Sequence, residues 1–64
     1  MTHLAYLGPV CSVARTRAGF EVRVHAGTHS VCVGVRDTAD AAIRTAQRLE
    51  RYPDHARTFA GVRA

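Results

Sequence analysis

Two stretches of this chain alternate between apolar and polar residues. Residues 20–26 place an apolar side chain at every second position, and residues 30–36 do the same with three valines. A period of two in residues rich in β-branched side chains predicts half-buried strands. Gly27 and Thr28 lie between the two stretches and suit a two-residue turn whose first position needs a positive φ. The pattern therefore predicts a β-hairpin.

The turn also predicts how the two strands of this hairpin are paired. Strand register is correct when the apolar residues of both strands lie on the same face of the sheet. Counting outwards from the turn satisfies this condition with three pairs: Val24 with Val31, Val22 with Val33, and Phe20 with Val35.

A further strand is predicted at residues 10–15, joined to the hairpin by a loop at residues 16–19. It completes a three-stranded antiparallel meander. With a loop of this length, two pairs of core-facing residues lie opposite each other: Cys11 with Val24 and Val13 with Val22.

Residues 38–52 predict one α-helix. Asp37 or Thr38 can accept hydrogen bonds from the free N–H groups of the first turn. Pro53 ends the helix, because the residue before a proline is disfavoured in α geometry. The apolar positions recur at helical spacing and form a stripe that can pack closely on the sheet: Ala39, Ala42, Ile43, Ala46 and Leu49.

These elements predict an α+β fold, with a three-stranded antiparallel sheet packed against one helix in the order β-β-β-α. Residues 1–64 make a single small domain. Its predicted core lies at residues 10–52, and the ends at 1–9 and 53–64 have no clear periodicity. Residues 4–7 suit a short strand that could lie at the sheet edge or mediate dimerisation, before Gly8 and Pro9 interrupt it.

The charge of the chain favours an anionic partner. Its net charge is +4 and its pI is about 10.1. All nine basic residues are arginines, whose planar guanidinium suits bidentate phosphate or carboxylate recognition. The alternative is a GC-rich coding bias, which also explains the many Ala, Val and Gly residues.

The sequence predicts a cytoplasmic protein without a membrane partner. No run approaches the roughly 20 apolar residues needed to cross a bilayer. Residues 1–10 lack the basic and apolar regions of a signal peptide. The two cysteines are too few for a disulfide-rich class of domain, and we expect them to be reduced.

The residue types that bind zinc do not converge in the predicted sheet. His25 and Cys32 are expected on the outer face, His29 in or beside the turn, and Cys11 inside. A Cys11–Cys32 disulfide fails because the middle strand separates the two residues by roughly 10 Å. No nucleophile, base and orienting group come together, and there is no phosphate-binding glycine loop. We therefore predict no metal, no cofactor, no small-molecule substrate and no catalytic activity.

Two sets of arginines are candidates for phosphate contact. The outer sheet face is predicted to carry Arg23 and Arg36, which suit guanine edges in a DNA groove, with Arg15 and Arg17 at the first hairpin on phosphates. A second set follows the exposed side of the helix at i, i+4 and i+7, and its alternative interpretation is an ordinary solvated face: Arg44, Arg48 and Arg51. The remaining residues expected on the outer sheet face are small or acidic or lie near the turn: Ser12, Ala14, Glu21, His25, Cys32 and Gly34.

The order of these motifs supports a family resemblance. Segments 12–13, 19–24 and 37–42 give a strand with an aromatic residue after glycine, a second strand, and a Thr-x-x-x-Ala helix start. This arrangement resembles the β-β-β-α DNA-binding domain of tyrosine integrases (the arm-binding type) and of plant Apetala-type regulators. Ala46 extends the helix pattern to one that also resembles a set of small bacterial proteins of uncharacterised function. The chain departs from the DNA-binding groups in having no tryptophan and in placing Phe20 on the core side.

Together the charge and the resemblance predict a small non-enzymatic binding module, of the accessory or phage-regulator kind, that contacts nucleic acid through arginines. The alternative, left open by the residues, is a protein–protein interaction module. It would act as an inhibitor or a homodimer through the exposed sheet face or the helix. The first prediction implies binding that weakens steeply with salt, and the second implies self-association or a protein partner.

Overall fold

The chain forms four β-strands followed by two α-helices in a computed structural model, which describes residues 3–59 and residue 61. The α+β class and the antiparallel sheet are as predicted. The predicted count of three strands and one helix is wrong, because one further strand joins the sheet before the predicted three and one further helix follows the predicted one. The elements are β1 (His3–Leu7), β2 (Cys11–Thr16), β3 (Gly19–Ala26), β4 (His29–Arg36), α1 (Ala39–Arg51) and α2 (Pro53–Phe59).

The sheet is an antiparallel meander in the order β1-β2-β3-β4, so β1 and β4 are its edges. Gly8 N–H donates to Cys11 O at 2.9 Å and helps to reverse the chain between β1 and β2. A bulge between Leu4 and Tyr6 places Leu4 opposite Ala14 and Tyr6 opposite Val13. Because β1 has only five residues and contains this bulge, its apolar and polar residues do not alternate regularly.

The centre of the sheet follows the predicted register. Val24 lies opposite both Cys11 and Val31, and Val13 lies opposite Val22. Gly27 has a φ of +68°, as the hairpin turn requires. Turn chemistry and alternation therefore predicted this part of the hairpin correctly.

Beyond the middle of the hairpin the predicted register is wrong. A β-bulge next to Arg23 inserts one extra residue into β4, so that Val22 lies opposite Gly34 instead of Val33. The shift continues to the end of the strands and places Glu21 opposite Val35 and Phe20 opposite Arg36.

The bulge changes the faces on which the last residues of β4 lie. Val35 was predicted in the core, but its pairing with Glu21 takes it out, and 47% of it is exposed. Gly34 and Arg36 were predicted on the outer face with Arg23. Gly34 pairs with the buried Val22, and Arg36 pairs with Phe20, two residues away on the same face of β3. Both therefore lie on the side that the helices cover.

The first helix agrees closely with the prediction for residues 38–52. Thr38 is the N-cap, and its hydroxyl accepts the Ala41 N–H at 3.2 Å. The helix ends at Arg51, just before Tyr52 and Pro53. Its alanine stripe faces the sheet, and Ala42 and Ala46 are fully buried.

The second helix was not predicted. Proline is well suited to the first helical position, so Pro53 both ends α1 and starts α2. Ala56 is fully buried, while its neighbours His55 and Arg57 are exposed. One buried alanine gives no helical periodicity in the sequence. The core formed by these elements contains Cys11, Val13, Val22, Val24, Ala42, Ala46 and Ala56.

Candidate functional site

Three arginines of α1 lie together on one concave surface. Arg44, Arg48 and Arg51 are exposed and follow the helix at i, i+4 and i+7, so they span about 10 Å along its axis. With Gln47 and Tyr52 they line a depression of about 330 Å³, which we call the helix groove. The predicted basic stripe is therefore a shaped surface.

These arginines are free to meet an anion. In the part of the chain that the structure describes, one ion pair is closer than 4.0 Å, and it joins Arg23 to Glu21. One acidic neighbour of the stripe, Glu50, has its carboxylate directed to the amide nitrogens of Val10 and Cys11. The positive charge of the helix groove is thus not offset by a contacting carboxylate among residues 3–59.

A second depression, with a largely apolar lining and two arginines, lies between α1 and the edge of the sheet. Arg48 lies in both depressions and Arg36 lies in the second, so the shift of Arg36 to the helix side brings it next to the helix arginines. We call this depression the edge groove. It measures about 280 Å³ and is lined by Val33, Gly34, Val35, Arg36, Thr45, Arg48 and Leu49.

Tyr52 supplies an exposed aromatic ring at the end of the helix groove. It follows Arg51 at the C-cap of α1, and 57% of it is exposed. The His55 ring stacks on it with a centroid distance of 5.8 Å and an interplanar angle of 24°. Sequence analysis missed Tyr52, although its spacing of i+4 from Arg48 was a usable indication.

The predicted site on the outer sheet face is not assembled. The Arg23 guanidinium donates to Glu21 Oε1 at 2.9 Å and to Ser30 Oγ and Ser30 O at 2.8 and 2.9 Å. Arg36 lies on the opposite face. Arg23 therefore has neither its expected partner nor a free guanidinium.

The other two predicted arginines lie at the first hairpin and are exposed. Arg17 is in the turn between β2 and β3. Arg15 of β2 pairs with Phe20 of β3, and Phe20 also pairs with Arg36 of β4. Arg15 and Arg36 therefore belong to one row across three strands, about 10 Å apart. Alternation puts this row on the helix side.

A polar cluster lies beneath the last turn of α1, and sequence analysis missed it. The buried Cys11 thiol donates to Ala46 O at 3.2 Å and approaches Glu50 Oε2 at 3.8 Å. Burial and the neighbouring Glu50 carboxylate raise the pKa of Cys11 to about 11. Burial and Glu50 also raise the pKa of Tyr6. Cys11 is therefore a protonated packing residue at neutral pH, and the cluster holds elements together.

The two thiols differ in their exposure. Cys11 is buried and Cys32 is exposed, and both are free thiols. His25 Nε2 lies 3.0 Å from Gly8 O. Among the residues that the structure describes, no three His, Cys, Asp or Glu side chains are grouped so that they could hold a metal ion.

Comparison of the chain with protein-family models, curated proteins and solved structures found no match. The resemblance to integrase-type and Apetala-type DNA-binding domains stays a prediction. Neither of the two described helices has the length and apolarity to span a bilayer.

Proposed function

We propose that this chain is a small non-enzymatic module that binds nucleic acid, with the arginines of the helix groove on the phosphates. The observation that carries the proposal is the concave surface formed by Arg44, Arg48 and Arg51, which no carboxylate of the described residues contacts within 4.0 Å. A row of guanidinium groups on a concave surface is complementary to a regularly spaced polyanion. The net charge of +4 favours the same partner.

The edge groove extends this contact surface. Arg36 and Arg48 share its lining, so a phosphate chain along α1 can continue towards the end of β4. Arginine suits this role because its planar fork donates two hydrogen bonds to one phosphate. We place the primary contact on the helix, because Arg23 on the outer sheet face is engaged by Glu21 and Ser30.

Binding without catalysis is the activity that we propose. The buried thiol of Cys11 is held protonated at neutral pH and donates to a backbone carbonyl, so it is a poor nucleophile. Two free thiols suit the reducing cytoplasm, where we place the protein. An accessory or phage-type regulator is the biological role that fits such a module.

Salt-dependent binding of a labelled oligonucleotide tests this proposal. We expect binding at about 50 mM salt that weakens steeply at higher salt, with a log–log slope near −0.9 for each duplex phosphate contacted. Replacing Arg44 and Arg51 by Gln should weaken binding and make the slope shallower by about two contacts. The matched control replaces Arg15 and Arg17 by Gln, which removes the same charge at the first hairpin.

Two results would contradict the proposal. The first is the absence of binding to any oligonucleotide at about 50 mM salt with micromolar protein. The second is an equal loss of affinity in the two double variants, which would move the contact from the helix groove to the hairpin or to the net charge alone.

A second candidate function is association with a protein or with a second copy through the outer sheet face. Two leucines favour it: Leu4 and Leu7 on edge strand β1 are 56% and 69% exposed. Both lie in register with small residues of β2, namely Ala14 and Ser12. Light scattering over a range of concentrations tests self-association, and a concentration-independent monomer would leave only a different protein as the partner.

A further inference from the structure

The position of Tyr52 refines the proposed partner. Its backbone is fixed at the junction of the helices: Tyr52 N–H donates to Leu49 O at 3.1 Å, and Ala56 N–H donates to Tyr52 O at 3.0 Å. The ring therefore projects from a rigid point at the end of the helix groove. A large aromatic side chain left 57% exposed at such a point is available to a ligand.

The exposed His55 ring stacks against one side of Tyr52. The two rings are stacked with their centroids 5.8 Å apart, so His55 limits the orientations that Tyr52 can adopt. Tyr52 has only two side-chain torsions, and ordering it on a ligand costs little entropy. The pair is thus a preformed stacking platform beside the three arginines.

We infer that the nucleic acid is single-stranded and that one of its bases stacks on Tyr52 while the flanking phosphates contact Arg48 and Arg51. This inference rests on the proposed function and specifies its ligand. In a duplex the bases are stacked on one another, and their faces are closed to a side chain unless base pairs are opened at a cost. A basic groove next to an exposed ring is the combination that binds single strands with little sequence preference.

The test compares three labelled probes of equal length, about 10 nucleotides, within the range of single-strand site sizes. The probes are a single-stranded DNA, a single-stranded RNA and the DNA duplex. We expect both single strands to bind more tightly than the duplex. A difference between the DNA and RNA strands identifies the sugar that the groove prefers.

Variants of the aromatic residue separate stacking from charge. Tyr52→Ala should weaken single-strand binding by about 5- to 150-fold, the range for loss of one base–aromatic stack, and leave duplex binding unchanged. Tyr52→Phe retains the ring and should bind like the parent protein. Arg48→Gln should weaken binding to all probes.

The outcomes distinguish the inference from the proposed function. If single strand and duplex bind equally and Tyr52→Ala has no effect, while Arg48→Gln still weakens binding, the inference is wrong and the proposed function stands. If none of the probes binds, both are wrong. Retention of the fold in Tyr52→Ala is checked by circular dichroism, since an exposed residue at a helix end should be dispensable for folding.

Discussion

Both carboxylate oxygens of Glu50 lie 2.9 Å from the amide nitrogen of Val10. This contact joins the last turn of α1 to the start of β2 across 40 positions of sequence. The Cys11 N–H also donates to Glu50 Oε2, at 3.3 Å. One carboxylate thus satisfies two backbone donors at the corner between β1 and β2, and it holds the helix that carries the arginines in place.

The first prediction concerns this carboxylate. Glu50→Ala should lower the free energy of unfolding by about 1 to 3 kcal/mol, because two half-buried backbone donors lose their acceptor. Glu50→Gln retains one acceptor oxygen and should lose less. Urea denaturation measures both, with Gln47→Ala on the exposed side of the same helix as the control. An alanine variant as stable as the Gln47 control would show that water replaces the carboxylate at no cost.

The second prediction concerns stability at alkaline pH. The pKa of Cys11 is raised from 9.0 to about 11, so between these values the unfolded chain releases the thiol proton while the folded chain keeps it. The unfolded state then binds fewer protons, and stability falls as pH rises through this window, by at most about 1.4 kcal/mol per pH unit for this group. Below about pH 9 the contribution of the thiol is fully present.

Denaturation at several pH values checks this dependence. Cys11→Ala should be less stable at neutral pH because it loses buried volume, yet its stability should fall less between about pH 9 and about pH 10. Cys32→Ala, which removes the exposed thiol, is measured alongside as the matched control. Parallel curves for the parent and Cys11→Ala would assign the alkaline loss to other groups, of which Tyr6 is the nearest with a raised pKa.

The third prediction compares two glycines that both lie in the half of the β3–β4 hairpin away from its turn. Gly19 has a φ of +131°, and a Cβ there would lie 2.7 Å from Arg36 O. Gly34 has open space around the corresponding position. Gly19→Ala should therefore cost about 1 kcal/mol or more, whereas Gly34→Ala should be neutral or slightly stabilising. Equal costs in thermal denaturation would contradict this description of the bulged hairpin.

The bulge marks the limit of what alternation predicts. Val31, Val33 and Val35 keep a period of two in sequence, and a strict pairing would put all three in the core. The structure instead has one extra residue in β4 opposite the Val22–Arg23 step. Alternation of apolar and polar residues in the sequence does not reveal such an insertion. Gly34 was the one local indication, since an isolated glycine in a strand often marks a bulge.

In the elements that were predicted correctly, the capping and turn residues agree with the periodicity of the apolar residues. Thr38 caps α1 and Pro53 limits it, and Gly27 provides the turn that the alternation on either side requires. A short strand at residues 4–7 was expected as a possible sheet edge but was left out of the predicted three-stranded sheet, and α2 was missed. Both elements are short and bury few side chains. The contact of Glu50 with Val10 was beyond reach for another reason, since it joins residues far apart in sequence.

The candidate site was predicted in part. The helix arginines were grouped correctly because helical spacing alone decides which residues share a side. Arg23 and Arg36 were grouped wrongly because their common face depended on the register beyond the bulge. The face on which a strand residue lies can thus be predicted only if no bulge shifts the register between the turn and that residue.

The last prediction compares the helix groove with the outer sheet face by removing one arginine charge from each. Arg48→Gln removes a guanidinium shared by both grooves, and it should weaken oligonucleotide binding several-fold and make the salt slope shallower by about one contact. Arg23→Gln removes one that already binds Glu21 and Ser30, so affinity should change by less than about twofold while the hairpin loses part of its stability. Fluorescence anisotropy at low salt measures the first effect and urea denaturation the second. A loss of affinity in Arg23→Gln as large as in Arg48→Gln would return the contact to the outer sheet face.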